Sequence, residues 1–409
     1  MNNLAVNAAE RVSYPLVGTV SQTINDDFVT NERNPKNTNT KGVCFLSQDG
    51  KEQGPYRVFN RSFEENPQYP YFRIMDDSNS LLTAWHSQTD KEPAEFELLN
   101  LNDMSHENIV WLRASGEVNA LTVNKKETLL AMVYHDEGWR VDIRRSNNFQ
   151  LREVVHHVLP VIGMFFYHDV LFSLSNKLMA SYPEDRRGNA LVSSSSKVLG
   201  WAKHPTDPYL VLIEPERYRI INLDTLELVK SAEWTEQIKW FNLLQKYSNH
   251  NFEQPIDNSI AVFSTDANHL FLGGYGQLAV FDWHDMLRPR CVQPKPISMI
   301  DIHSNNYGID EEDKVVATHI IDMMPINRDR VLCATADGYL SMLNVRTREI
   351  TLLLIPGTGV RMNSLQLCVH NKYLAMVGYY YGFDNNECKV ESALLIWRLS
   401  RLLNHGNLI

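Results

Sequence analysis

One layout recurs along this chain, and it restricts the fold more than any other feature. Residues 263–283, FSTDANHLFLGGYGQLAVFDW, read as a strand, a turn at Ser264–Asn268, a strand at His269–Leu272, a glycine loop at Gly273–Gly276 and a strand at Leu278–Trp283. Ser, Thr, Asp and Asn favour tight turns, and glycine admits positive φ. The same order returns in residues 72–102, 120–146, 320–347 and 364–400, and more weakly in 164–185 and 200–225. Third-strand positions fall at Leu99, Ile143, Tyr182, Ile221, Phe281, Leu343 and Trp397. The first three intervals are 44, 39 and 39 residues, close to the spacing of a four-stranded propeller blade. Later intervals of 60, 62 and 54 contain insertions at Glu233–Ile256, near 299–314 and at Tyr379–Glu391. Seven copies predict an all-β, seven-bladed β-propeller of four-stranded antiparallel blades. Their expected bounds are near 68–113, 116–157, 161–192, 197–231, 257–294, 315–356 and 362–403.

The stretches FSTDANHLFLGGYGQLAVFDW and MVGYYYGFDNNECKVESALLIWRLS look like the second half of a WD repeat: an Asp turn, a Gly-containing loop and an aromatic strand end. Over roughly residues 70–400 the chain resembles a degenerate WD-repeat β-propeller. It departs from the pattern in having no Trp-Asp dipeptide and no Gly-His pair before a blade. Asp337 stands at the tight-loop position, but His319 is too near its following strand to be the usual partner. The hydrogen-bonded tetrad that ties regular blades together is therefore expected to be absent, leaving packing to hold them. The resemblance also implies closure by a strand that the N-terminus lends to the last blade. Residues 1–64 are read as that extension, with a 41–63 hairpin (KGVCFLSQ, YRVFNRSF) as the closing element and SYPLVGTV at 13–20 as another candidate. The propeller is then 65–403 and the tail 404–409.

One segment breaks the β pattern. EWTEQIKWFNLLQKY, residues 233–247, places Trp234, Ile238 and Phe241 at helical spacing, with Thr235 as an N-cap. An inserted helix is predicted there, within an insertion at 233–256. It either packs on the rim or offers Trp240 and Tyr247 to a partner, since large aromatics carry much interface energy.

Composition narrows the function classes. A formal net charge of −10 argues against general phosphate-backbone binding, so no nucleic-acid partner is expected. No run approaches the length of a membrane-spanning helix, and the first residues lack the basic-then-apolar layout of a secretory signal. The five cysteines, Cys44, Cys291, Cys333, Cys368 and Cys388, are scattered and suit a reducing compartment. Cys388, in a polar stretch, is the one expected at the surface. A cytoplasmic location is expected, with the nucleus, or a host cytosol for a secreted effector, as alternatives.

Candidate chemistry is sparse. His156-His157 has no acidic or cysteine partner at metal spacing and reads as a strand end with one satisfied and one exposed imidazole. The glycine cluster lacks the helix and base of a phosphate cradle. Asp310–Asp313 reads as solvated surface or a landing strip for a basic partner. No nucleophile, base and orienting group come together, so a non-enzymatic protein without cofactor or metal is expected. The resemblance implies an interaction scaffold or adaptor that binds proteins or peptides, as a subunit of a larger complex. Its loop face would present His135, Glu137, Tyr275, Asp337 and, from a glycine-flanked loop, Tyr379, Tyr380 and Tyr381. Alternatives are a propeller enzyme or small-ligand binder acting at the central channel, and a secreted bacterial effector that imitates a host adaptor.

Overall fold

The structure, a computed structural model, describes the strands named below together with most of residues 117–239, 261–302 and 320–356. Residues 1–44, 240–260, 303–319 and 405–409, with short connections between strands, lie outside the described residues. Contacts divide the chain into two compact units, Pro70–Leu270 with Phe281–Pro296, and Met1–Tyr69 with Phe271–Val280 and Ile297–Ile409.

The described strands form seven antiparallel sheets, six four-stranded and one five-stranded. In the first unit three whole sheets are Glu117–Val123, Leu129–Asp136, Gly138–Arg145 and Leu151–His157; Gly163–Tyr167, Val170–Leu174, Lys177–Ser181 and Asn189–Ser194; and Gly200–Lys203, Tyr209–Ile213, Arg217–Asn222 and Leu228–Glu233. A fourth, Tyr71–Met75 to His106–Leu112, precedes them. Each is a meander, so every strand pairs with its neighbour in sequence. The boundary between the units passes through the sheet Ala261–Phe263, His269–Gly273, Gln277–Asp282 and Ser298–Asp301.

In the second unit Ile320–Pro325, Arg330–Thr335, Leu340–Asn344 and Glu349–Pro356 form a sheet to which Phe45–Leu46 adds a fifth strand. Asn363–His370, Tyr373–Asp384 and Glu387–Arg398 make the last sheet, and Arg57–Ser62 pairs with Glu387–Arg398 as its fourth strand. The expected 41–63 hairpin does not form, because Phe45–Leu46 and Arg57–Ser62 pair with different sheets.

Both faces of the central strands are buried. Leu129, Ala131 and Val133 join Val141, Ile143, Met164 and Leu171 in one core layer. Phe165, Phe172, Leu178, Leu210, Leu212 and Ile221 form the next layer. This two-sided burial explains why runs such as Leu129–Tyr134 are continuously apolar rather than alternating. Packing is close enough that a Cβ on Gly163 would stand 1.9 Å from the Trp201 indole nitrogen. The same indole stacks on Phe165, with ring centroids 5.0 Å apart.

A repeated turn closes the sheets at one end. Asn124, His204 and Ser264 each donate a backbone N–H to the carbonyl five residues on, at 3.0, 2.8 and 2.9 Å. The Asn124 side-chain oxygen accepts from Thr128 and Leu129 N–H, and Ser264 Oγ accepts from His269 N–H. Glu127 and Ala267 then take left-handed φ of 54° and 62°. On the next turn Asn222 and Asn344 act alike, accepting from the N–H groups two and three residues on. These side chains satisfy turn donors that a strand ladder leaves open.

Polar ties cross between sheets, contrary to the expectation that packing alone joins them. His157, buried at the end of one sheet, places Nε2 2.8 Å from Ser173 Oγ and Nδ1 2.9 Å from Ser175 Oγ of the next sheet. Ser175 Oγ in turn donates to Asn176. Farther along, Arg219 donates to Ser193 Oγ of the neighbouring sheet at 2.6 Å.

Helices are more numerous than the one expected. Residues 236–239 are helical, but Thr235 does not cap them with its hydroxyl: Oγ1 is buried without a hydrogen-bond partner among the described residues, and its carbonyl accepts from Ile238 and Lys239 N–H. Trp283–Leu287 is a short helix capped by Asp282, whose carboxylate accepts from Asp285 N–H. Lys230 closes that helix's far end, donating to the Met286 and Arg288 carbonyls. Leu399–Asn404 forms a last helix.

Candidate functional site

His135 lies in the strand Leu129–Asp136, directly across from Trp139, and His157 faces Trp139 from the other side. These three positions therefore stand abreast at one end of a sheet. There the chain leaves the outer strand through Val158 and Leu159, which are 86 and 45% exposed. His156 is exposed beside them, and Trp139 is half-buried, its inner side packed on the core. Exposed aliphatic surface thus begins directly after the buried His157, at the same end of the sheet as Trp139. Burial, with Lys177 and His156 as lesser contributors, lowers the His157 pKa to about 4, so the ring is neutral at neutral pH.

That shift has a measurable consequence. Above pH 6.5 the imidazole is neutral folded or unfolded, and it contributes no pH dependence. Between pH 6.5 and 4 only the unfolded chain takes up the proton, so stability falls with pH, by about 3 kcal/mol over the whole window. His204, whose pKa burial also lowers, adds to the same trend. His157→Gln should therefore lose less melting temperature than the wild type between pH 7 and 5. Parallel curves for the two proteins would show that the ring is protonated in the fold.

Of the other sequence-predicted residues, Glu137, Tyr275, Asp337, Trp240 and Tyr247 lie outside the described residues. Tyr379, Tyr380 and Tyr381 are not in a loop. They sit inside the strand Tyr373–Asp384, opposite Ser392, Glu391 and Val390. Tyrosine favours strands, and the ladder pairs all three and continues to Asp384 and Glu387. Cys388 also lies in this hairpin, opposite Phe383, while Cys333 is buried in its own sheet.

At the other end of the 117–157 sheet lies an open cleft of about 450 Å³, lined by Lys126, Thr128, Arg145, Ser146, Asp169 and Glu184 among others. Asn124 holds its floor, donating to Thr128 and to Asp169 of the next sheet at 3.1 and 3.0 Å. Lys126 pairs with Asp169 at 2.5 Å and, with Asn124, holds that carboxyl below its usual range. Sequence reading treated Asn124–Glu127 only as a turn; the pairing with Asp169 depends on a contact between sheets that no local pattern reveals. Lys126 and Asp169 are paired within the cleft, and Glu184 pairs with Arg152, so these charges suit a surface for polar contact rather than a reactive centre. Among the described residues no cluster of three or more His, Cys, Asp or Glu side chains could hold a metal ion.

No protein-family model matches the sequence, and no curated protein matches it. Solved structures do. A chain in the crystal structure of a mitotic checkpoint complex matches with a TM-score of 0.56 and 13% identity over 84% of this chain and 94% of that one. The crystal structure of the Cps50 (Swd1) beta-propeller domain of Myceliophteria thermophila matches with a TM-score of 0.54 and 11% identity over 83% and 99%. With its antiparallel four-stranded sheets in sequence order, the chain has the fold of the WD40 β-propellers.

Proposed function

We propose that this protein is a propeller-type interaction platform, an adaptor or subunit that binds other proteins rather than a catalyst. The observation that carries the reading is the exposed pair Val158 and Leu159 at the sheet end that holds His135, Trp139 and His157. Two aliphatic side chains held out in water cost nothing to bury against a partner, and an aromatic at the same end supplies contact area at little entropic cost. On this reading the seven sheets are seven blades, and Arg57–Ser62 completes the last of them. The likeness in fold to a chain of a mitotic checkpoint complex agrees with it.

The test is affinity purification of the full-length protein from its native cell, with stoichiometric partners identified, beside a Val158→Asp/Leu159→Asp variant. The variant should keep its melting temperature, because both side chains are exposed, and lose partner capture by about tenfold or more. A Tyr379→Ala/Tyr380→Ala variant serves as the comparison. Capture lost there and kept in the Val158→Asp/Leu159→Asp protein would move the contact to the last sheet. Purification of a monomer carrying a small molecule, without protein partners, would overturn the platform reading.

A further inference from the structure

In five of the sheets the outer strand holds one more residue than the strand it pairs with, a bulge at Asn108, Arg152, Val192, Val229 and Leu353. The residue just before the bulge is a leucine in four of them: Leu151, Leu191, Leu228 and Leu352. The first three are 45, 57 and 56% exposed, whereas Leu352 is 6% exposed. Leu352 belongs to the sheet whose outer strand carries a fifth strand, Phe45–Leu46, paired antiparallel at Pro356 and Ile355. One outer edge of this fold thus carries an added extended segment, Phe45–Leu46, beyond its bulge, and three others present the leucine before the bulge to water.

Of those three, Leu228–Glu233 is the best prepared. Val229, at the bulge, is also exposed, so two aliphatic side chains stand together on the edge. Glu227 and Glu233 flank them and Glu236 follows, all exposed. The one base in the strand, Lys230, is turned inward to the Met286 and Arg288 carbonyls. Lys239 pairs with both Glu233 and Glu236, at 3.4 and 3.1 Å, so a single base faces three acids and the edge keeps an acidic excess. An edge strand offers main-chain donors and acceptors to a further strand, and its side chains choose which.

Resting on the platform reading, we propose that the outer edge of Leu228–Glu233 binds an extended partner segment in which an apolar pair is flanked by Lys or Arg. The segment adds to the sheet as an antiparallel strand. Its apolar pair covers Leu228 and Val229, and its bases face Glu227 and Glu233.

The test is to titrate the full-length protein with a labelled peptide, Arg-Lys-Thr-Val-Phe-Leu-Thr-Lys-Arg, and follow fluorescence anisotropy and amide hydrogen exchange. Binding should slow exchange in residues 228–233 and should weaken by about tenfold or more in Leu228→Asp/Val229→Asp and in Glu227→Lys/Glu233→Lys. Both variants change exposed side chains, and an unchanged melting temperature verifies that they fold. The same peptide with Glu at every Lys and Arg, or with Pro in place of the central Phe, should not bind, the second because it lacks a main-chain donor. Absence of binding up to about 1 mM, equal affinity for the Leu228→Asp/Val229→Asp protein, or protection mapped to another strand would overturn the proposal. If the peptide fails while a protein partner is still captured through Val158 and Leu159, the edge site falls and the platform stands. Failure of the platform itself shows as the absence of any stoichiometric protein partner.

Discussion

Trp234→Ala should lower the stability of this protein by about 3–5 kcal/mol, the cost of removing a large side chain from a closed core. Trp234 is fully buried, between Tyr218 at 4.8 Å and Phe281 at 5.3 Å between ring centroids. Its indole N–H donates to the Glu214 carbonyl at 3.0 Å, and its backbone N–H to the Glu216 carbonyl at 2.9 Å. The residue therefore pins the chain where it leaves Leu228–Glu233 for the 236–239 helical turn. In a thermal melt of a chain this long the loss should appear as about 3–6 °C. Trp234→Phe should fall between the two, since it keeps most of the apolar contact but leaves the Glu214 carbonyl without that donor. A melting temperature unchanged in Trp234→Ala would mean that the side chain stands at the surface.

A comparable loss, about 3–5 kcal/mol, is expected for Glu214→Ala. The Glu214 carboxylate is buried and lies 2.6 Å from Arg219 Nε and 2.7 Å from Arg217 Nε. Arg219 is itself buried, and its charge was taken out of water against that carboxylate. Removing the acid leaves the cation in a poor dielectric, which costs more than the pair gains when whole. The double variant Glu214→Leu/Arg219→Met should accordingly recover much of what Glu214→Ala loses. Chemical denaturation of the three proteins decides this: additive losses in the double variant would mean that the two groups do not act as a unit.

Much of the fold was legible because its strands alternate with turns of distinctive composition. Leu99, Ile143, Ile221, Phe281, Leu343 and Trp397 do lie in third strands, and Tyr182 directly follows one. Misreadings came where a local signal competed with a longer-range one. Gly378 and Gly382 made the three tyrosines look like a loop, yet twelve-residue strands on both sides of Asn385-Asn386 carry the pairing through them. Asp282 was read as the end of a strand and is also the cap of a helix, as the spacing to Asp285 allowed. The tie between His157, Ser173 and Ser175 was missed because no glycine precedes the histidine; the signal was the pair of serines that follows 16 and 18 residues on. At the candidate site, the His156-His157 pair was legible as one exposed and one satisfied ring. The exposure of Val158 and Leu159 was not, since an aliphatic pair before a proline reads equally well as core.

The pairing of Arg57–Ser62 with Glu387–Arg398 also sets a timetable for biosynthesis. Ser62 and Glu387, the strand ends nearest in sequence, are 325 residues apart, so the early strand leaves the ribosome long before its partner exists. At the usual pace of translation that is a wait of roughly 15–65 s. Throughout it, each intervening meander can complete itself from its own consecutive strands, while Arg57–Ser62 stays without its place in the sheet. A nascent chain stalled before residue 387 should thus hold ordered sheets yet remain open to capture by chaperones at Arg57–Ser62.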